Sequence, residues 1–325
     1  MTVEGGICID THSHWMPQAH LEAVHDLLHE QPALARDYGG ILSLAQRPDA
    51  PLAALESRIA EMDECGVDIS VLSLPPPAAA FGTTETARRV AAGSNDAMLE
   101  AAERFAGRFT ILLALPLPDI ESSLAELDRV GSHPLAQGVS ALTNAESWSL
   151  DETQFEVLWA EVAARNLPLA LHPAFDCRPA KFTDWTIGGS LHAVMSSSLG
   201  VTRLVMSGML DRIPTLDVIV PHLGGTIPYL AQRFVDMGRG EAEHDMAHYL
   251  RHRLYLDTCS YHPPAFRCAL DTVGSERLVL GTDYPFRGSL QRAVDDVVEN
   301  APTAESRAAI LGRTASQWFT AHSPA

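Results

Sequence analysis

Eight short apolar runs, each ending in a polar residue or a turn, constrain the fold of this chain more than any other feature: 7–10, 69–74, 110–115, 138–142, 169–172, 216–221, 254–257 and 278–282. Each has the length of a strand. Most are followed by amphipathic stretches of helical period, at 86–105, 120–130, 155–165 and 226–235. Strands that alternate with helices build a parallel sheet, because parallel neighbours need a crossover. Eight such units close on themselves, so the expected fold is α/β, a (β/α)8 TIM barrel.

Two segments fall outside the alternation. Residues 15–57, between the first strand and a helix at 58–65, are rich in His, Pro, Ala and Gly and too long for an ordinary βα loop. They read as a lid inserted after strand 1. Past the eighth unit, 305–319 keeps an apolar period and is expected to form an extra C-terminal helix packed on the outside of the barrel. With 325 residues, 46% of them apolar, and no internal repeat, the expectation is one domain over 1–325.

Charge and cysteine usage exclude several classes of function. Lys and Arg total 23 against 41 Asp and Glu, a net of −18, which disfavours binding to nucleic acid or anionic membranes. An anionic substrate therefore needs a local cationic pocket. Cys8, Cys65, Cys177, Cys259 and Cys268 are odd in number, with no CxxC pair, so neither a disulfide framework nor a zinc finger is expected, and a reducing cytoplasm fits best. No stretch has the apolar length of a membrane span, and no secretion signal is expected.

Active sites of such barrels lie at the carboxyl ends of the strands, so the polar residues just past the apolar runs carry the chemistry. The first run leads into Asp10-Thr11-His12-Ser13-His14, where strand spacing puts His12 and His14 on one face. The fifth ends at His172-Pro173, the sixth at Pro221-His222-Leu223-Gly224-Gly225 and the eighth at Thr282-Asp283-Tyr284-Pro285. An HxH pair alone is weak in a chain of 14 histidines. Its recurrence in order with His, His and Asp at the ends of strands one, five, six and eight is not. Imidazoles and a carboxylate suit one divalent metal ion, zinc first, with manganese the alternative. Asp257, ending the seventh run, reads equally as an orienting partner for a histidine or as a structural carboxylate.

Taken with the strings Arg58-Ile59-Ala60-Glu61-Met62-Asp63, Gly66-Val67-Asp68, Ser207-Gly208, Arg212-Ile213-Pro214 and Gly281-Thr282-Asp283-Tyr284-Pro285-Phe286, these residues make the chain resemble the amidohydrolase superfamily, in the branch similar to 2-amino-3-carboxymuconate-6-semialdehyde decarboxylase. The resemblance implies that His12, His14, His172 and Asp283 hold one metal and that His222 is a catalytic acid/base beside its bound water, with a fifth-ligand or orienting role as the alternative. Lys181, the only lysine, lies nine residues past His172 and is not placed to bridge two metals.

The same resemblance implies a homodimer in which Arg233 reaches a carboxylate of the neighbouring subunit's substrate. It also makes Arg47, Trp185 and Phe286 candidates for substrate binding. A planar guanidinium suits carboxylate recognition. The bland alternatives are a surface pair for Arg233 and core packing for Trp185. The pair Ala174-Phe175 and the run His222-Leu223-Gly224-Gly225 depart from the family pattern. The expected reaction is non-oxidative decarboxylation of an unsaturated or aromatic carboxylate. Hydrolysis or hydration of a lactone, amide or unsaturated acid by the same activated water is the alternative.

Overall fold

The computed structural model describes residues 6–47, 50, 52–145, 148–174, 182, 184–185, 187–286 and 289–321. Lys181, Cys177 and Phe175 lie outside the described residues. Eight parallel strands stand in chain order: β1 (Ile9–His14), β2 (Ile69–Ser73), β3 (Phe109–Ala114), β4 (Ala136–Leu142), β5 (Leu169–His172), β6 (Val218–Val220), β7 (Leu254–Asp257) and β8 (Leu278–Val279). The continuation of β8 closes the barrel against β1, through Thr11 N to Leu280 O at 2.9 Å, His14 N to Tyr284 O at 2.8 Å and the bridge between Ser13 and Tyr284. Such strands are buried on both faces, which is why they appear in the sequence as unbroken apolar runs.

β1 is the exception, being polar yet buried throughout. It runs four residues beyond the apolar stretch that announced it, so the HxH pair lies within the strand. Its register against β2 shifts between Asp10 and Ser13. Ile9 packs in the barrel's lower interior, while His12 and His14 face the site above. Regular alternation would put Ile9 on the opposite face from both. The bulge changes the parity and re-aims the histidines.

The insertion after β1 is more ordered than its composition suggests, with helices at Gln18–Glu30 and Ala35–Ala45. They enclose a small apolar cluster of Met16, Val24, Tyr38 and Leu52, against which Phe286 packs. The C-terminal segment differs from the single outer helix expected of it. A short helix, Ala304–Ala308, gives way to a π-type turn over Ala309–Arg313 and a 3-10 turn over Ala315–Gln317. Ala315 and Phe319 then enter the cluster formed inside the barrel by Ile9, Leu112, Ile219 and Val279. The segment thus plugs the amino end of the barrel. A Cβ at Gly312 would meet Ile7 O at 1.9 Å, so this close approach requires glycine. Among the described residues no helix is long and apolar enough to cross a membrane.

Candidate metal centre and adjoining cleft

Three imidazoles and a carboxylate converge at the carboxyl end of the barrel. Donor atoms of His12, His14, His172 and Asp283 all lie within 4.8 Å of one another, and all four residues are buried. Nε2 of His12 is 3.2 Å from Nε2 of His14. Oδ1 of Asp283 is 3.2 Å from Nε2 of His14 and 3.5 Å from Nε2 of His12. Two nitrogens at about 2.05 Å from one tetrahedral ion stand roughly 3.3 Å apart, so the donor set fits a divalent metal.

The far sides of the rings are held in turn. Nδ1 of His12 lies 2.6 Å from Oδ2 of Asp257, Nδ1 of His14 lies 3.1 Å from the Ser73 hydroxyl, and Nδ1 of His172 lies 3.1 Å from Pro173 O. Partners of this kind fix the tautomer and turn Nε2 inward. Asp257 therefore takes the orienting role left open above. Its other oxygen accepts from the backbone N–H groups of His222 at 2.8 Å and Cys259 at 3.0 Å. Asp257→Asn is expected to weaken metal affinity about 10- to 100-fold with the fold intact. Chelator competition measures this, and unchanged affinity would reduce Asp257 to a packing role.

Electrostatics favour a cation here. Burial keeps His14 and His172 below the ordinary histidine range, so their nitrogens carry free lone pairs. For His12 burial pulls the same way but is outweighed by Asp257, and its pKa rises to about 9 in the metal-free chain. Burial raises the Asp283 carboxyl, but the imidazoles of His14, His222 and His12 beside it prevail and hold it well below the usual carboxylate range.

Two of the strings that carry the resemblance, 58–63 and 281–286, prove to be supports of this centre. Arg58 is wholly buried, donates to His14 O and lies 4.8 Å over the Tyr284 ring. Glu61 accepts from the Tyr284 hydroxyl at 2.8 Å and from Leu290 N at 2.9 Å. Asp10 accepts from Thr282 N at 3.1 Å and from its hydroxyl at 2.8 Å. The contacts of Arg58 and Asp10 tie β1 to the segment past β8 that bears Asp283, and Glu61 holds that same segment to the helix Leu55–Cys65.

His222 stands beside the four donors, with Nε2 3.8 Å from Oδ2 of Asp283. It is held at φ 58°, followed by Leu223 at φ 54°, and Asp283 has φ 53°. Left-handed conformations at bulky residues are costly and persist where the surroundings enforce them. The glycine run after His222 has a steric reason, since a Cβ at Gly225 would lie 2.3 Å from the Ser198 hydroxyl.

A cleft of 590 Å3 opens from His222, lined among others by Tyr229, Cys259, Tyr261, His262 and Arg292. The Arg292 guanidinium lies 4.7 Å over the Tyr261 ring and supplies a cation on the wall. Sequence reasoning missed Arg292, Tyr261 and Cys259. Cys259 follows Asp257 by two positions at the end of β7, as His14 follows His12 in β1, and that position was its only signal.

The other candidates divide. Phe286 is half-buried with its ring 5.3 Å from that of His14, so it walls the centre. Arg47 is exposed past the end of the helix Ala35–Ala45 and is not among the residues that line the cleft. Trp185 is 86% exposed, which corrects the core-packing alternative, and it does not line the cleft of its own chain. Arg233 is exposed on the helix Ile227–Met237 and makes no ion pair among the described residues. It lines a separate groove of 330 Å3 with Met206, Leu230, Phe234 and Met237. The alternative surface pair with Asp236 or Glu241 is not formed among the described residues, and Asp236 accepts from Gln232 at 2.8 Å.

Known proteins share both sequence and architecture with this chain. It is 28% identical over 281 residues to the gamma-resorcylate decarboxylase of Rhizobium radiobacter, covering 80% of this chain and 84% of that enzyme. It is 25% identical over 242 residues to the 2-amino-3-carboxymuconate-6-semialdehyde decarboxylase of Dictyostelium discoideum, covering 70% and 66% respectively. The crystal structure of 5-carboxyvanillate decarboxylase from Sphingomonas paucimobilis matches with a TM-score of 0.85 at 22% identity, over 96% of this chain and 98% of that one. A dihydroxybenzoic acid decarboxylase from a Polaromonas species, with bound manganese and the inhibitor 2-nitroresorcinol, matches with a TM-score of 0.81 at 23% identity over 97% of each chain. The amidohydrolase family profile matches residues 9–320, from the first residue of β1 to the segment that plugs the barrel, and the chain belongs to that family.

Proposed function

We propose that this protein is a metal-dependent, non-oxidative decarboxylase of an aromatic or unsaturated carboxylate. The observation that carries the reading is the placement of His222, beside the four-donor cluster and at the mouth of a cleft whose wall bears Arg292. The two relatives by sequence described above are named as decarboxylases of such acids. His12, His14, His172 and Asp283 hold one divalent ion per chain, zinc by the imidazole-rich donor set or manganese as in the Polaromonas structure. When bound, the ion supplies a Lewis acid that polarises a substrate oxygen and offsets its charge.

The chain's own residues do the rest. Arg292 draws an anionic group into the cleft, and Phe286 bounds the space above His14. His222 gives a proton to the carbon that bears the leaving carboxylate. The bond to that carboxyl group then breaks, its electron pair returns to the unsaturated system, and carbon dioxide leaves with hydrogen in its place. The insertion 15–57 acts as a lid of the single domain, a reading favoured by the packing of Phe286 against its apolar cluster.

Incubation with aromatic and muconate-type carboxylates, lactones and amides, with carbon dioxide followed separately from ring opening, tests the reaction. Carbon dioxide release from an aromatic or unsaturated acid is the expected result. Ring opening without it would transfer the site to hydrolysis.

A homodimer completes the proposal. Leu191, Met195 and Leu199 are 47%, 43% and 54% exposed at intervals of four, and Tyr229 and Met237 flank Arg233 on its helix with 83% and 74% exposed. Apolar surface of this kind suits a partner subunit, and it would carry Arg233 to the neighbour's cleft. Arg233→Ala and His222→Ala chains, each nearly inactive alone, are expected to regain partial activity when mixed into heterodimers. A monomer at working concentration, or no recovery in demonstrated heterodimers, would remove the shared site.

A further inference from the structure

A second set of donors lies against the first. A ring nitrogen of His222, Sγ of Cys259 and a carboxylate oxygen of Asp283 lie within 4.8 Å of one another, and all three residues are buried. The two oxygens of Asp283 face different neighbours. Oδ1 looks toward His12 and His14, at 3.5 and 3.2 Å, while Oδ2 is the oxygen that His222 approaches at 3.8 Å. Nδ1 of His222 is buried and has no hydrogen-bond partner among the described residues. Cys259 is held by its backbone, whose N–H donates to Asp257 at 3.0 Å. Both His222 and Cys259 line the 590 Å3 cleft, so an ion from solvent has a route to them.

We propose that His222, Cys259 and Asp283 form a second cation position, selective for a thiophilic ion such as cadmium or excess zinc, and that filling it withdraws His222 from proton transfer. A thiolate beside an imidazole selects soft or borderline cations, whereas manganese and magnesium prefer oxygen donors. A carboxylate can serve two cations from its two oxygens, as in two-metal sites with ions about 3.5 to 4 Å apart. A hard ion thus fills the four-donor cluster alone, and a soft ion fills both. The thiol proton passes to buffer as the ion binds, and the lone pair of the His222 nitrogen is taken up by the cation. The donor cluster stands on geometry; its inhibitory consequence rests on the acid/base reading of His222.

Cadmium chloride titrated into the manganese-loaded protein tests both parts. Sulfur-to-metal charge-transfer absorption in the ultraviolet and cadmium per chain after gel filtration are compared in the wild type, Cys259→Ser, Cys259→Ala and Cys268→Ser, the last controlling for the other thiol of the cleft. The wild type and Cys268→Ser are expected to show the band and to retain one cadmium more than the Cys259 variants, which lack the band. A band that persists in both Cys259 variants, or none in the wild type, would overturn the site. Neither readout depends on turnover, so a failure of the decarboxylase reading leaves them decisive. Carbon dioxide release by the wild type is expected to fall more than 10-fold as the band saturates, with each Cys259 variant inhibited far less relative to its own uninhibited rate. Full turnover at band saturation would overturn the coupling to His222.

Discussion

Replacement of His222 by Ala or Asn is expected to lower turnover about 100-fold or more while metal per chain stays near that of the wild type, the effect of removing a general acid/base from an otherwise intact site. The geometry separates this residue from the proposed ligands. His12, His14 and His172 form one cluster with Asp283, whereas His222 is grouped with Asp283 and Cys259 on the cleft side. Its backbone N–H donates to Asp257 at 2.8 Å, a contact that either substitution keeps. A drop in kcat and kcat/KM together, with KM little changed, would mark a contribution made in the transition state. Loss of metal in these variants would make His222 a ligand and remove the acid/base assignment.

The second large effect is expected from the double substitution His12→Ala, His14→Ala. It removes two of the four donors in the cluster and leaves Asp283 buried without two of the imidazoles that hold its carboxyl ionised. Metal affinity should fall by more than the roughly 10- to 100-fold that follows loss of a partner behind a ligand, and decarboxylation should vanish with it. Metal analysis after dialysis, alongside circular dichroism to establish that the barrel is retained, measures the outcome. Full metal retention in a folded double variant would move the metal site elsewhere in the chain. Near two ions per chain after dialysis against a hard cation such as manganese would contradict a single tight centre.

The sequence by itself determined the eight strands, their parallel order and which strand ends bear donors. A strand buried on both faces must be apolar along its length, and its first polar residue marks where it emerges at the carboxyl end. Hence β5 and β7 begin and end where the apolar runs do, and His172 and Asp257 could be found without coordinates. Only the tertiary structure decided how those ends meet. The register shift in β1 is invisible to a period-two reading, because it depends on pairing with β2, some sixty residues away. The partnership of His12 with Asp257 spans 245 positions and exists only once the barrel has closed. Arg292 carries no periodic or motif signal and Cys259 only its two-residue spacing from Asp257, and the two come together only in the cleft that both line. The C-terminal segment reads as an outer helix because its apolar residues recur at helical spacing. Its actual burial inside the barrel's amino end follows from a void that eight strands leave there and that Ala315 and Phe319 fill.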